Sequence, residues 1–165
     1  MNTWRRAWWR AARLLLPCWL VATARGMAQP GVDLVLSQAP SVFPAPTVAA
    51  YDAGFVLDPN PIVFTVNASG GPPVPRTTIV SVRAAAPTLG GGKPVADLEW
   101  RRADLGTWNA ISTTDAVIES RPIVRSGLND PWSNGVFLRI RLSWATDPPG
   151  TYATPLVFTL TVTTP

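Results

Sequence analysis

The chain has 165 residues, with 14 Lys or Arg against 10 Asp or Glu, one cysteine and no histidine. Residues 1–28 hold five of the basic side chains (Arg5, Arg6, Arg10, Arg13 and Arg25), Cys18, both Met and four of the eight Trp. The rest, 29–165, is near neutral and lacks His, Cys and Met, which excludes Ser-His-Asp and Cys-His nucleophiles, Cys/His zinc sites and any compositional case for nucleic-acid binding.

Residues 1–28 read as a cleavable helical signal peptide. A basic start precedes an apolar stretch over 14–24, and small residues follow at Ala22-x-Ala24 or Gly26-x-Ala28. The apolar stretch is too short, and too broken by Pro17, for a membrane span. Lipidation at Cys18 needs a small residue before the cysteine, and Pro17 stands there. Arg5-Arg6-Ala7-Trp8-Trp9 resembles a twin-arginine core, although arginine pairs are common in any basic leader, and ordinary unfolded export is favoured. The expected destination is the periplasm, the outer surface or the extracellular space. A cysteine-free domain in such a compartment must hold itself together without disulfides, and 137 residues bury enough surface to do so.

After the leader, strand and turn signals alternate. Val32, Leu34 and Leu36 form a first strand on an arm, 29–50, whose Pro- and Ala-rich spacer (39–50) reads as extended. Strands follow at 54–57 and at 61–67, where Ile62, Phe64 and Val66 share a face. A loop at 69–75 leads into a strand over 76–83, and a Gly-rich connection spans 89–93. Leu98 and Trp100 point inward from a strand that turns through 103–106 into 107–111 as a hairpin. A strand at 116–120 precedes a polar loop, 126–135. The strand 136–144 places Leu138, Ile140, Leu142 and Trp144 on one face. After the turn Asp147-Pro148-Pro149-Gly150, a last strand over 151–163 points Leu156, Phe158, Leu160 and Val162 inward. The prediction is an all-β chain, an antiparallel immunoglobulin-like β-sandwich of seven to nine strands over 51–165. A closed barrel is the alternative.

The pattern Asp147-Pro148-Pro149-Gly150-Thr151-Tyr152, followed by the alternating, Thr-rich strand to Val162, resembles the last hairpin of spore-coat-U-like and fimbrial-type surface subunits. That resemblance implies an immunoglobulin-like fold and a role in surface structure or fibre assembly, with no catalytic residues. Those families commonly carry a disulfide, which residues 29–165 cannot form.

Carboxylates are the only acid/base groups available, and Glu99, Asp104, Asp115 and Glu119 lie close in sequence. Their placement on polar strand faces and in turns makes solvated surface acids the better account. Asn129, Asp130 and Asn134 are too thin a cluster for calcium. Trp132, between Pro131 and Ser133 in the polar loop, is the candidate ligand-binding residue: an exposed indole flanked by Asn129, Asp130 and Asn134 could stack on a sugar ring. The competing account has Trp132 folding back to plug the sandwich. Trp100 and Trp144 are expected in the core. Asn67-Ala68-Ser69 matches a glycosylation acceptor, a frequent tripeptide given little weight. Val32, Leu34 and Leu36 form the candidate assembly strand, able to pair with their own sheet or with a neighbouring subunit's. The expected function is therefore a non-enzymatic structural or assembly subunit of a bacterial cell surface, partnered by its own copies or other surface subunits. The alternative is a secreted carbohydrate- or ligand-binding module. No cofactor, metal or nucleic acid is expected, nor a membrane span after the leader.

Overall fold

Apolar residues at every second position account for most of the regular structure, because alternate side chains of a strand face the same way. The computed structural model describes residues 31–37, 43–68, 76–123 and 131–163. The expected signal peptide, the loop 69–75, residues 38–42 including the start of the spacer, and the candidates Asn129 and Asp130 lie outside the described residues. Nine strands are present among those described: β1 (Val32–Leu36), β2 (Phe55–Leu57), β3 (Ile62–Ala68), β4 (Arg76–Ala84), β5 (Leu98–Arg102), β6 (Asn109–Ala110), β7 (Ala116–Ile123), β8 (Trp132–Arg141) and β9 (Leu156–Thr163). One short helix, α1, covers Val48–Ala53.

All pairings between strands are antiparallel. The larger sheet has the order β1-β3-β8-β5-β6, with β2 also pairing β8, and the smaller sheet has the order β7-β4-β9. β2 and β3 run in succession along one edge of β8. Val56 lies opposite Ile140 and Ile62 opposite Val136, so six residues on one strand span four on the other. The surplus is absorbed at Asp58-Pro59-Asn60-Pro61, where the Asp58 N–H still donates to the Leu138 carbonyl at 3.0 Å.

The two sheets face each other in a sandwich-like arrangement, and the core lies between them. Val56, Ile62, Phe64, Val66, Leu98, Trp100, Val136, Leu138 and Ile140 come from the larger sheet, and Val80, Val82, Ala84, Ile118 and Phe158 from the smaller. Burying each large side chain contributes about 1.5–3 kcal/mol. The inward faces of β3 and β5 fall where the alternation places them.

Three features differ from the sequence expectation. The spacer is not extended to its end: Val48–Ala50 begin α1, whose N-cap Thr47 accepts a hydrogen bond from the Ala50 N–H at 3.2 Å. Gly54 ends the helix at φ 78°, a left-handed conformation that favours glycine. β8 runs from Trp132 to Arg141 and not from 136 to 144, which turns Trp132 inward and leaves Trp144 on a loop, 59% exposed. β9 starts at Leu156, after a non-strand stretch over 151–155.

Candidate functional site

The assembly-strand candidates lie together on β1, paired with β3 through Val32↔Ala68, Leu34↔Val66 and Leu36↔Phe64. Val32 is buried and Leu34 partly so, packed against the core, while Val35 is 48% and Leu36 36% exposed. β1 ends its sheet, so its outer edge has no partner strand among the described residues. Such edges are usually blunted by charge, proline or a bulge. β1 has a single charge, Asp33, which accepts a hydrogen bond from Asn67 Nδ2 at 3.1 Å.

The same sheet ends at its other side with β6, only two residues long. Beyond it an open cleft of about 750 Å³ separates β5 and β6 from β7, lined by Trp100, Leu105, Trp108, Ala110 and Val117 among others. Leu105 is 50% and Val117 58% exposed. Arg102 lines it too, and its guanidinium reaches across to β7: Nη1 donates to the Ile118 carbonyl at 3.4 Å, while Nε donates to Asp104 at 2.8 Å. Paired with Arg102, the exposed Asp104 carboxyl is lowered to about 2. The Trp100 Nε1–H is buried and finds no acceptor among the described residues.

Trp132 and Asn134 share the inward face of β8, and neither forms an exposed ligand platform. Trp132 is buried; its Nε1–H donates to Thr78 Oγ1 at 3.3 Å, its ring packs edge-on to Phe64, and the Arg121 guanidinium lies 4.8 Å from its centre. Asn134 Nδ2 donates to Glu119 Oε2 at 2.7 Å. Glu119 is itself buried and also accepts from Arg121 Nε. These contacts join the two sheets at one end of the sandwich. The expectation of a loop-borne, exposed Trp132 is thus corrected: its ring faces are taken by protein, the plugging arrangement weighed against it.

The carboxylates fare differently from one another. Asp115 is exposed and pairs with Arg83 at 3.4 Å. Glu99 is mostly covered and pairs with Arg139 at 2.6 Å. Glu119 is buried and not a solvated surface acid. The outer face of the larger sheet interleaves arginines with aromatics: Arg101 sits between Trp108 and Phe137, and Arg139 between Trp108 and Phe55. Trp108 is thereby covered by two guanidinium groups. Among the described residues, no three His, Cys, Asp or Glu side chains converge as a metal ion would require.

At the opposite end lies a group that sequence reasoning missed. Lys93 is buried, with Nζ 2.7 Å from Asp147 Oδ2 and 3.0 Å from Asp97 Oδ2. Asp147 Oδ2 also accepts the Ser143 N–H at 2.8 Å, and Asp97 pairs with Arg141 at 2.8 Å. Burial pulls the Lys93 ammonium down, but its hydrogen bonds to both carboxylates outweigh that and hold it above the usual lysine value. Burial likewise pushes Asp97 up, and hydrogen bonds from Lys93 and Arg141 bring it below the usual carboxylate range. Tyr51 Oη donates to the Asp147 carbonyl at 3.1 Å, and the Tyr51 ring stacks beneath Trp144.

No described helix is long and apolar enough to cross a membrane. Comparison with protein-family models, with curated proteins and with solved structures finds no match, and the functional reading rests on the chain's own geometry.

Proposed function

We propose that this chain is an exported, non-enzymatic structural or assembly subunit of a bacterial cell surface, an immunoglobulin-like β-sandwich that joins copies of itself edge to edge. The observation that carries the reading is the pair of open features at the two sides of one sheet: the exposed β1 edge with Val35 and Leu36, and the mixed polar and apolar cleft beside β6, where Leu105 and Val117 are exposed. An extended β1 edge offers backbone N–H and C=O groups in a row, and an open sheet edge beside a cleft takes such a strand by hydrogen bonding. Because the two features differ, their contact is head to tail and generates chains rather than closed pairs. The leader supplies the export. The charge balance of 29–165 and its lack of His and Cys fit a role without catalysis.

Substituting Val35→Lys places a charge on the β1 edge and leaves its pairing with β3 intact. Light scattering and negative-stain electron microscopy of the purified protein then decide. Assemblies formed by the parent and lost in Val35→Lys support the reading. A variant that assembles as the parent does overturns it.

A further inference from the structure

We infer that Trp144, with Asp52 at its rim, is a stacking platform for a pyranose ring of a saccharide. Trp144 is a large aromatic side chain that the fold leaves in solvent, 59% exposed, on the loop after β8. Two contacts fix its position and leave its other face open. One face stacks on buried Tyr51, with ring centres 4.5 Å apart and planes 27° from parallel, and its Nε1–H donates to Asp52 Oδ1 at 3.1 Å.

Tyr51 is fixed in turn by its hydrogen bond to the Asp147 carbonyl, and the Asp147 carboxylate by buried Lys93. The chain of contacts therefore runs from the interior to the exposed ring, so little order remains to be imposed when a ligand arrives. Among the described residues, the face turned from Tyr51 carries no other ring and no cation, unlike Trp108 and Trp132.

A flat, rigid, open ring face with a hydrogen-bond acceptor at its edge matches a pyranose, which presents C–H bonds on a face and hydroxyls around its rim. Asp52 Oδ1 is engaged by the indole, and Oδ2 makes no hydrogen bond among the described residues, leaving it to accept from a sugar hydroxyl. A quaternary ammonium also favours aromatic faces, but it is held by several rings around it. Trp144 and Tyr51 stack on each other and enclose nothing.

The test uses the purified full chain on an array of neutral and acidic glycans. It is followed by titration with cellohexaose, chitohexaose and mannopentaose, and by sedimentation with insoluble cellulose and chitin, which separates soluble oligosaccharide from polymer surface as the source of the ring. The parent is expected to bind at least one of these probes. Trp144→Ala should weaken that binding by about tenfold or more, the scale of a lost aromatic anchor. Trp144→Phe, which keeps a stacking face, should retain part of it, Asp52→Ala should lose several-fold, and Phe137→Ala, at an aromatic outside both the platform and the cleft, should bind as the parent does. Near-UV circular dichroism checks that each variant is folded. Absence of binding by the parent to every probe overturns the inference, as does binding that survives Trp144→Ala or a response to tetramethylammonium alone. Assembly through the β1 edge involves neither residue, so its success or failure is read independently.

Discussion

Replacing Lys93 by alanine removes the ammonium that two carboxylates share at one end of the sandwich. Asp97 keeps Arg141 at 2.8 Å, so the loss falls on Asp147, whose carboxylate retains, among the described residues, the Ser143 N–H alone. The Lys93 and Asp147 side chains are 3% and 7% exposed, so water does not screen the pair as it would at the surface. Breaking one partner of such a pair leaves a buried, uncompensated charge and costs about 3–5 kcal/mol. Against a total stability of about 5–15 kcal/mol that is a large share, and it lowers the thermal midpoint by about 10 °C or more. Urea unfolding followed by tryptophan fluorescence measures it as a fall in midpoint at constant slope. The double variant Lys93→Met with Asp147→Leu removes both charges, and its cost should be well below the sum of the two single costs. A cost under about 1 kcal/mol for Lys93→Ala, the range of exposed ion pairs, would refute the reasoning.

Other expectations follow from the same contacts. Lys93 is held above its usual value, so its stabilisation is complete below the ordinary lysine range and is lost as pH rises through the raised value. Asp97 is held below its usual value, so its contribution is present above the ordinary carboxylate range and disappears as pH falls through the lowered value. With no histidine in the chain, unfolding midpoints should be nearly flat between about pH 5 and 9; a step near neutrality would contradict this. Trp132→Phe and Trp100→Phe remove the same atoms from two buried indoles. Trp132 donates to Thr78 and the Trp100 N–H has no acceptor among the described residues, so Trp132→Phe should cost about 1 kcal/mol more in chemical denaturation. Equal costs would deny the Thr78 bond its weight.

Much of the fold is legible in the sequence because β3, β5 and the inner half of β8 alternate cleanly. Where the reading failed, a specific interaction interrupted the alternation. Leu138, Ile140, Leu142 and Trp144 continue one pattern, yet the strand leaves the sheet after Arg141. The Asp147 carboxylate captures the Ser143 N–H, and the Asp147 N–H bonds the Ser143 carbonyl at 3.0 Å, curling the chain into a turn. Trp132 was hidden among Pro131, Ser133 and Asn134, which read as a loop. Ser133 faces solvent and Asn134 points inward to buried Glu119, a partner no local pattern announces. Glu119 was itself concealed by the register shift between Val80 and Ser81, which buries Ile118 and Glu119 in succession on β7. Helix α1 has only six residues, too few for a period to show, and its signals were the Thr47 and Gly54 caps. Lys93 and Asp97 are neighbours in sequence, but the third member of the cluster, Asp147, is brought to them by the fold alone.

The measurement that bears most directly on edge-to-cleft assembly is sedimentation of two variants, alone and mixed. Val35→Lys blocks the β1 edge and keeps the cleft, whereas Val117→Lys blocks the cleft and keeps the edge. The parent is expected to form concentration-dependent chains and each variant alone to remain monomeric. Their mixture should stop at pairs, one intact edge seated in one intact cleft. A parent that stays monomeric at every concentration, or variants that form chains on their own, would contradict the account.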